Sequence, residues 1–136
     1  MRKVVATDAA PAAVGPYSQA IVAGSGAGSG AGSGNWVFSA GQLGIDPKTG
    51  KFAEGVEAQT RQALRNLEAV LTSAGSGLDR VVKVTVFLQN MGDFKKVNAV
   101  YSEFFEDEPP ARSAVEVAAL PLGGLVEIEA VALVIE

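Results

Sequence analysis

Hydrophobic positions recur along the chain with two different periods, and the helical period occurs twice. Between residues 56 and 74 they recur at steps of three and four, which predicts an amphipathic helix that Gly75 is placed to end. The same period over residues 94–105 predicts a second helix with Asp93 as its N-cap. Pro109 and Pro110 prevent that helix from continuing.

Alternating or β-branched apolar runs predict six strands around these helices. They cover residues 3–7, 17–23, 36–40, 81–88, 112–118 and 125–135. The predicted order is therefore β-β-β-α-β-α-β-β. One sheet with both helices on one face, an α+β sandwich, buries both helical stripes. The length of 136 residues predicts one domain, residues 1–136.

The last predicted strand is apolar on both faces. Its even positions are all apolar and would meet the helices. Its odd face begins with Glu127 and Glu129 but continues with Val131, Leu133 and Ile135. A sheet face without helices should not be this apolar in a monomer. We expect it to be buried against another subunit, and a third layer supplied by the N-terminal segment is the alternative.

Residues 24–34 alternate strictly, with glycine at every even position and serine or alanine at every odd one. This alternation excludes a G-x-G-x-x-G phosphate loop, and no Gly-Lys-Ser/Thr follows it. We interpret the stretch as a flexible linker placed in the turn of a hairpin, and its regularity points to an engineered insertion. A silk-like extension of the two strands is the alternative.

Two residue types are absent from the sequence, and their absence limits the kinds of catalytic and metal site that the chain can form. The chain contains no cysteine and no histidine, which excludes disulfides, thiol nucleophiles, Ser-His-Asp triads and zinc held by His or Cys. A net charge of −4 disfavours a dedicated nucleic-acid binder. No segment is typical of a targeting signal or a membrane span, so we expect a cytoplasmic protein.

Arg112 and Glu127 are the strongest candidates for chemistry. Arg112 opens a strand of small and apolar residues, where its guanidinium could act as a fork for a carboxylate. The alternative is a cross-strand ion pair with Glu127 or Glu129. Glu127 stands where an apolar strand begins, and partial burial there would raise its pKa and suit it to handling a water proton. A solvated carboxylate is the alternative for Glu127.

Four further residues carry weaker signals. Tyr17 follows a Gly-Pro pair and could present its phenol to a ligand or pack in the core. Asn98 falls beside the apolar stripe of the second helix, where a surface amide is the default. Ser39 and Gly41 border a turn whose backbone N–H groups could hold an oxyanion, although a plain turn accounts for them equally.

Taken together, these stretches resemble the RidA family, also called YjgF/YER057c/UK114, over nearly the whole chain outside the glycine-rich stretch. The most specific match is Pro-Ala-Arg-Ser at residues 110–113, followed by Val-Glu-Ile-Glu at residues 126–129. Further matches follow in order along the chain, at residues 15–20, 40–50, 82–87 and 94–101.

The resemblance implies a chorismate-mutase-like fold: a six-stranded mixed sheet with two helices on one face, assembled as a homotrimer. It implies active sites in clefts between subunits, where reactive enamines and imines of the 2-aminoacrylate and 2-iminobutanoate type are hydrolysed to 2-keto acids and ammonia without a cofactor. By position, Arg112 would clamp the substrate carboxylate, and Glu127 would orient or activate the attacking water. Tyr17 and Asn98 would line the cleft, and the Gly41 backbone would support the ligand.

Two departures from the family pattern bear on these roles. Many members have Ser-Gly-Gln where this chain has Ala40-Gly-Gln, so Ser39, one place earlier, is the candidate hydroxyl for substrate binding. Strand alternation turns Ser39 away from the direction of Ala40. Some members carry a cysteine where this chain has Ala114, which removes thiol chemistry but leaves the Arg/Glu mechanism.

Other functions remain open from the sequence. One is a trimer that binds small carboxylates without turnover, and another is a trimeric scaffold that carries the glycine-rich insertion. Ribonuclease activity, reported for some relatives, is not expected from a chain of net charge −4 without histidine. Neither a nucleic acid nor a membrane is expected as a partner, and no metal or other cofactor is expected.

Overall fold

A computed structural model describes residues 2–24 and 34–135 of the chain. The helices are α1 (Val56–Ser73) and α2 (Phe94–Phe104). The strands are β1 (Arg2–Val5), β2 (Ala20–Gly24), β3 (Asn35–Ser39), β4 (Gln42–Leu43), β5 (Val81–Leu88), β6 (Ala111–Glu116) and β7 (Val126–Val134). The predicted order of strands and helices is confirmed, and the two-residue β4 is an addition that no alternating pattern signals.

Six of the strands form a continuous sheet in the order β1-β2-β3-β7-β5-β6, and β4 pairs with β7 beyond the end of β3. The β5–β6 pair is parallel, and the other pairs among the described strands are antiparallel. The connection from β5 to β6 contains α2, since parallel neighbours need a crossover. The mixed sheet with two helices that the family resemblance implies is therefore confirmed.

Helix α1 packs its apolar stripe against β3, β4 and β7. Its leucines Leu64, Leu67 and Leu71 are fully buried and form the centre of the core. The helix ends as predicted: Gly75 adopts φ +83°, and the N–H of Ser76 donates to the carbonyl of Leu71. The helix predicted from the 3.6-residue period is therefore confirmed.

Helix α2 begins differently from the prediction. Asp93 occupies the N-cap position, but its carboxylate accepts no capping hydrogen bond. A short 3₁₀ turn, Met91–Asp93, precedes the helix instead, and Asn90 Oδ1 accepts from the N–H of Gly92 in that turn. The inward face of α2 carries the buried residues Val97, Val100 and Tyr101.

The sheet has one face buried under the helices and one open face. On β7 the side chains of Val126, Ile128, Ala130 and Ala132 are buried, whereas the alternate residues are half-buried or exposed. This is the two-residue alternation predicted for the last strand, and it fixes which side of the sheet each neighbouring side chain occupies.

Apolar side chains crowd the open face. Trp36 and Phe38 of β3 are 38% and 48% exposed, and Leu133 of β7, the cross-strand partner of Trp36, is 37% exposed. Strand β1 lies beside β2 in the sheet and does not cover this face. The alternative of a third layer from the N-terminal segment is therefore wrong for this part of the face, because the described chain leaves Trp36, Phe38 and Leu133 uncovered.

The strands on either side of the glycine-rich stretch pair as far as Gly24 and Asn35, the last partners of the β2–β3 pair. Residues 25–33, most of the predicted linker, lie outside the described residues. The interpretation as an inserted linker stays a prediction. Within the described ranges, neither helix has the length and apolarity needed to span a bilayer.

Candidate active site

The two strongest candidate residues lie on opposite faces of the same sheet. Arg112 pairs in parallel register with Val84, which is fully buried on the helix-covered face, so Arg112 points to that face as well. Glu127 lies between the buried residues Val126 and Ile128 on β7 and therefore points to the open face. Within one chain, the sheet itself separates the guanidinium from the carboxylate.

On the helix-covered face, Arg112 is held by one side of α2. We call Phe94, Asn98, Tyr101 and Arg112 the arginine cluster. Arg112 Nη1 donates to Asn98 Oδ1 at 2.8 Å. The guanidinium carbon lies 4.7 Å from the ring centroid of Tyr101 and 5.4 Å from that of Phe94, within cation–π range.

The arginine cluster settles two of the open alternatives. The cross-strand ion pair of Arg112 with Glu127 or Glu129 is wrong, and the ion pairs found among the described residues involve other groups. The default of a surface amide for Asn98 is also wrong, because Asn98 is half-buried and accepts the arginine hydrogen bond. Among the described residues, the contacts of the Arg112 guanidinium are with neutral groups, an amide and two aromatic rings.

On the open face, Glu127 borders a cavity of about 440 Å³, which we call the glutamate cavity. Its walls come from the segment before β2, from β4 and its flanks, and from the turn before β7. They comprise Pro11, Ala12, Val14, Tyr17, Gln19, Ala40, Gly41, Gln42, Leu43, Ile45, Pro121, Leu122 and Glu127. Glu127 is the one ionisable carboxyl in this largely apolar lining.

Burial raises the pKa of the Glu127 carboxyl above its ordinary value, and the negative charge of nearby Glu129 raises it further. The expected rise in the Glu127 pKa on partial burial is therefore confirmed in direction, and the solvated carboxylate is wrong. The predicted role of Glu127 in handling a water proton stays a prediction. A carboxyl with a raised pKa exchanges protons more readily near neutral pH than an ordinary glutamate does.

Gly41 packs directly against this carboxyl. A Cβ atom added at Gly41 would lie 2.7 Å from Cδ and 2.8 Å from Cγ of Glu127, closer than real Cβ contacts come. The absence of a side chain at residue 41 is thus what lets Glu127 occupy its place on the cavity wall.

Tyr17 and Ser39 have different surroundings. Tyr17 is 50% exposed on the cavity wall, and its hydroxyl accepts from the N–H of Val14 at 3.4 Å, so the core-packing alternative is wrong. The Ser39 hydroxyl accepts from the N–H of Ala130 at 3.0 Å, where β3 ends beside β7. Ser39 does not line the glutamate cavity, and its predicted contact with substrate stays a prediction.

Gln19 also lines the glutamate cavity, although the sequence did not single it out as a candidate. It is buried, its Oε1 accepts from the N–H of Thr7 at 2.6 Å, and its Nε2 donates to the carbonyls of Thr7 and Pro11 at 3.0 and 2.8 Å. These bonds hold the segment before β2 in place as a cavity wall. The available signal was its position inside the family-like stretch at residues 15–20.

No group of three or more carboxylates within the two described ranges is arranged to hold a metal ion. The groups that the two candidate regions present are a guanidinium, a carboxyl of raised pKa, amides and phenols.

Comparison with known proteins identifies the family. The model of the family described as Endoribonuclease L-PSP matches residues 7–134. The chain belongs to this family, the RidA family expected from its motifs. A RutC family protein of Pyrococcus horikoshii is 50% identical over 97% of this chain and 98% of its own length.

Two further relatives carry names that bear on this RidA-family chain's function. A 2-iminobutanoate/2-iminopropanoate deaminase of Salmonella typhimurium is 46% identical over 97% of this chain and 98% of its own length. The crystal structure of E. coli TdcF with bound serine superposes with a TM-score of 0.82 at 38% identity, covering 96% of this chain and 97% of that one. The family includes proteins named as imine deaminases and one seen with a small amino acid bound.

The raised pKa of Glu127 makes stability depend on pH in a defined direction. Between the ordinary glutamate pKa and the raised one, the folded protein binds more protons at this site than the unfolded chain does, so stability falls as pH rises through that window. We expect Glu127→Gln to remove this loss, so that the stability of the variant gains on that of the wild type as pH rises above the ordinary glutamate pKa.

Denaturant unfolding of both proteins at equal protomer concentration measures this difference across the pH range. Glu129→Gln is the matched variant: it leaves the burial of Glu127 in place and removes only the neighbouring charge, so it should shift the profile less. A Glu127→Gln advantage that shrinks as pH rises would contradict the assignment.

Proposed function

We propose that this protein hydrolyses 2-imino acids and their enamine tautomers, of the 2-aminoacrylate and 2-iminobutanoate type, to 2-keto acids and ammonia. The observation that carries the proposal is that one chain presents both a guanidinium held by neutral partners and a carboxyl of raised pKa in a largely apolar cavity. The names of the curated relatives supply the substrate class.

Arg112 binds the substrate carboxylate in this proposal. Its guanidinium offers donors in a planar fork that matches a carboxylate, and Asn98 occupies a donor on Nη1 only. Because no protein carboxylate in the described ranges pairs with Arg112, an incoming substrate does not have to displace one. The bound serine in E. coli TdcF is a molecule with the same carboxylate chemistry.

Glu127 handles the proton of the attacking water. The water oxygen bonds to the imine carbon, the C=N electron pair moves to nitrogen, and Glu127 accepts a proton from the water and returns it to that nitrogen. In the resulting carbinolamine the hydroxyl proton moves to the amine nitrogen as the C–N bond breaks and the C=O bond forms, which releases ammonia and leaves a 2-keto acid. An imine is already electrophilic, so positioning and modest proton handling are sufficient and the proposal needs no cofactor. Tyr17 and Gly41 complete the wall around this carboxyl.

Both groups can act on one substrate only if two chains contribute, because Arg112 and Glu127 face opposite sides of the sheet. We therefore infer a homotrimer with sites between neighbouring subunits, in which the family resemblance supplies the number three. The exposed apolar side chains Trp36, Phe38 and Leu133 support burial of the open face against another copy. The cytoplasmic location expected from the sequence stays a prediction.

Carboxylate binding without turnover is the second candidate, and the serine-bound relative favours it. The arginine cluster serves both functions equally, whereas a carboxyl of raised pKa beside the cavity is needed only for turnover. A ribonuclease, as the family description names, is disfavoured by the net charge of −4 and the lack of histidine.

The deciding assay follows 2-keto acid release from 2-aminoacrylate or 2-iminobutanoate generated in place by a serine or threonine dehydratase. We expect acceleration by the wild type, loss of substrate affinity in Arg112→Ala, and a fall in turnover of about 10²- to 10⁴-fold in Glu127→Gln. Arg65→Ala, an exposed change on α1, is the control and should match the wild type.

A folded oligomer that binds a 2-keto acid through Arg112 without accelerating release would establish the binding function instead. RNA is assayed in parallel with the same variants, and cleavage that Arg112→Ala leaves intact in rigorously purified protein would revive the ribonuclease.

Gly41→Ala provides a test of the geometry around Glu127. The new Cβ would overlap the Glu127 side chain, so the carboxyl has to move, and a misplacement of about 1 Å can cost about 10²-fold in rate. We expect a large loss of turnover with little loss of carboxylate binding. Gly34→Ala, whose Cβ would meet nothing within 4 Å, should be neutral. Equal turnover in the two alanine variants would contradict the role of Gly41.

A further inference from the structure

One face of α2 is spaced to meet a single side chain on the neighbouring edge strand. Phe94, Asn98 and Tyr101 are separated by four and three residues, so they follow one another along the same side of the helix. That side faces Arg112 of β6, as the hydrogen bond from Arg112 to Asn98 and the two ring contacts demonstrate.

The two rings contact the arginine without neutralising it. A ring face attracts a cation through its quadrupole but offers no formal negative charge, so Arg112 stays available to an anion. Asn98 fixes one nitrogen, and a single hydrogen bond would still leave the side chain free to rotate about it. Contacts from Tyr101 at 4.7 Å and Phe94 at 5.4 Å restrict that rotation.

The ring of Tyr101 is itself held firmly. It is 6% exposed, and its centroid lies 4.7 Å from that of Phe105, with the rings tilted by 34°. Tyr101 thus packs between Phe105 and the guanidinium. The ring of Tyr101 therefore connects the guanidinium to the hydrophobic core.

The Tyr101 hydroxyl is buried and has no hydrogen-bond partner among the described residues. Burial raises the pKa of this phenol, so it stays protonated and uncharged at neutral pH, and the positive charge of Arg112 offsets the rise only in part. What Tyr101 gives Arg112 is therefore its ring face, and a phenylalanine would give the same.

We propose that Phe94 and Tyr101 are positioning residues that hold the Arg112 guanidinium for the substrate carboxylate by cation–π contact. This assignment rests on the proposed function, since it takes Arg112 to be the carboxylate clamp. It adds that two aromatic residues of α2 set the orientation of the Arg112 guanidinium. At residue 101 the aromatic ring is needed and the phenol oxygen is not.

The test measures binding of 2-ketobutyrate, a 2-keto acid of the product class, by calorimetry, beside turnover. We expect Phe94→Leu and Tyr101→Leu each to weaken binding about 3- to 30-fold and to raise KM in step, with kcat nearly unchanged. Tyr101→Phe should bind as the wild type does. Val100→Ala, a buried change on α2 outside the arginine cluster, should lose stability without losing affinity.

A further readout covers the case in which Tyr101→Leu does not fold. Nuclear relaxation of the Arg112 Nε–H group should report greater mobility in Phe94→Leu, whose site is only half-buried, than in the wild type or Val100→Ala.

Leucine variants that bind 2-ketobutyrate as tightly as the wild type would overturn the proposal. Tyr101→Phe losing as much affinity as Tyr101→Leu would overturn it too, because the hydroxyl would then be the working group. These results are separate from a failure of the proposed function, in which the wild type binds 2-ketobutyrate through Arg112 but does not accelerate deamination. If Arg112→Ala binds as the wild type does, both proposals fall.

Discussion

Side chains along a strand point alternately to the two faces of a sheet, and that constraint governs how this protein can build a site. Arg112 is in register with the buried Val84 and faces the helices, whereas Glu127 lies between buried neighbours and faces away from them. No rotamer change brings the two groups to one small substrate through a sheet. The same alternation gives the open face its apolar side chains, so the feature that divides the site also provides the surface on which a second copy can complete it.

The two parts of the proposed site have different surroundings, and these affect the charge of each group differently. Arg112 is held by an amide and two rings, partners that restrict its motion and leave its charge uncompensated for an anion. Glu127 sits against Gly41 in a largely apolar cavity, where burial disfavours its charged form and raises its pKa. An arginine that can bind a carboxylate and a carboxyl that readily gains and loses a proton are the two groups that the proposed hydrolysis of a 2-imino acid would use.

Periodic patterns in the sequence were enough to predict both helices, the main strands and the α+β class. The motifs singled out Arg112 and Glu127 as candidates, and their roles stay predictions. The sequence could not place Arg112 against α2, because that contact depends on the parallel β5–β6 register, which relates segments far apart in the chain. Gln19 was missed for a different reason, because its partners Thr7 and Pro11 lie in a loop that has no periodic pattern. Asp93 shows the converse error: a residue of the right type stands at the right position, yet the preceding turn leaves its carboxylate without a capping bond.

The most direct measurement of the divided site is complementation between inactive protomers. Arg112→Ala and Glu127→Gln proteins, each inactive alone, are mixed in equal amounts, exchanged under mild denaturant and assayed for deamination, with exchange verified by native mass spectrometry. A site shared by neighbouring chains of a ring-shaped trimer restores one intact site in every mixed trimer, or about a quarter of wild-type activity overall for random mixing. Mixed trimers that stay inactive would show that one chain supplies both groups, and would contradict the account.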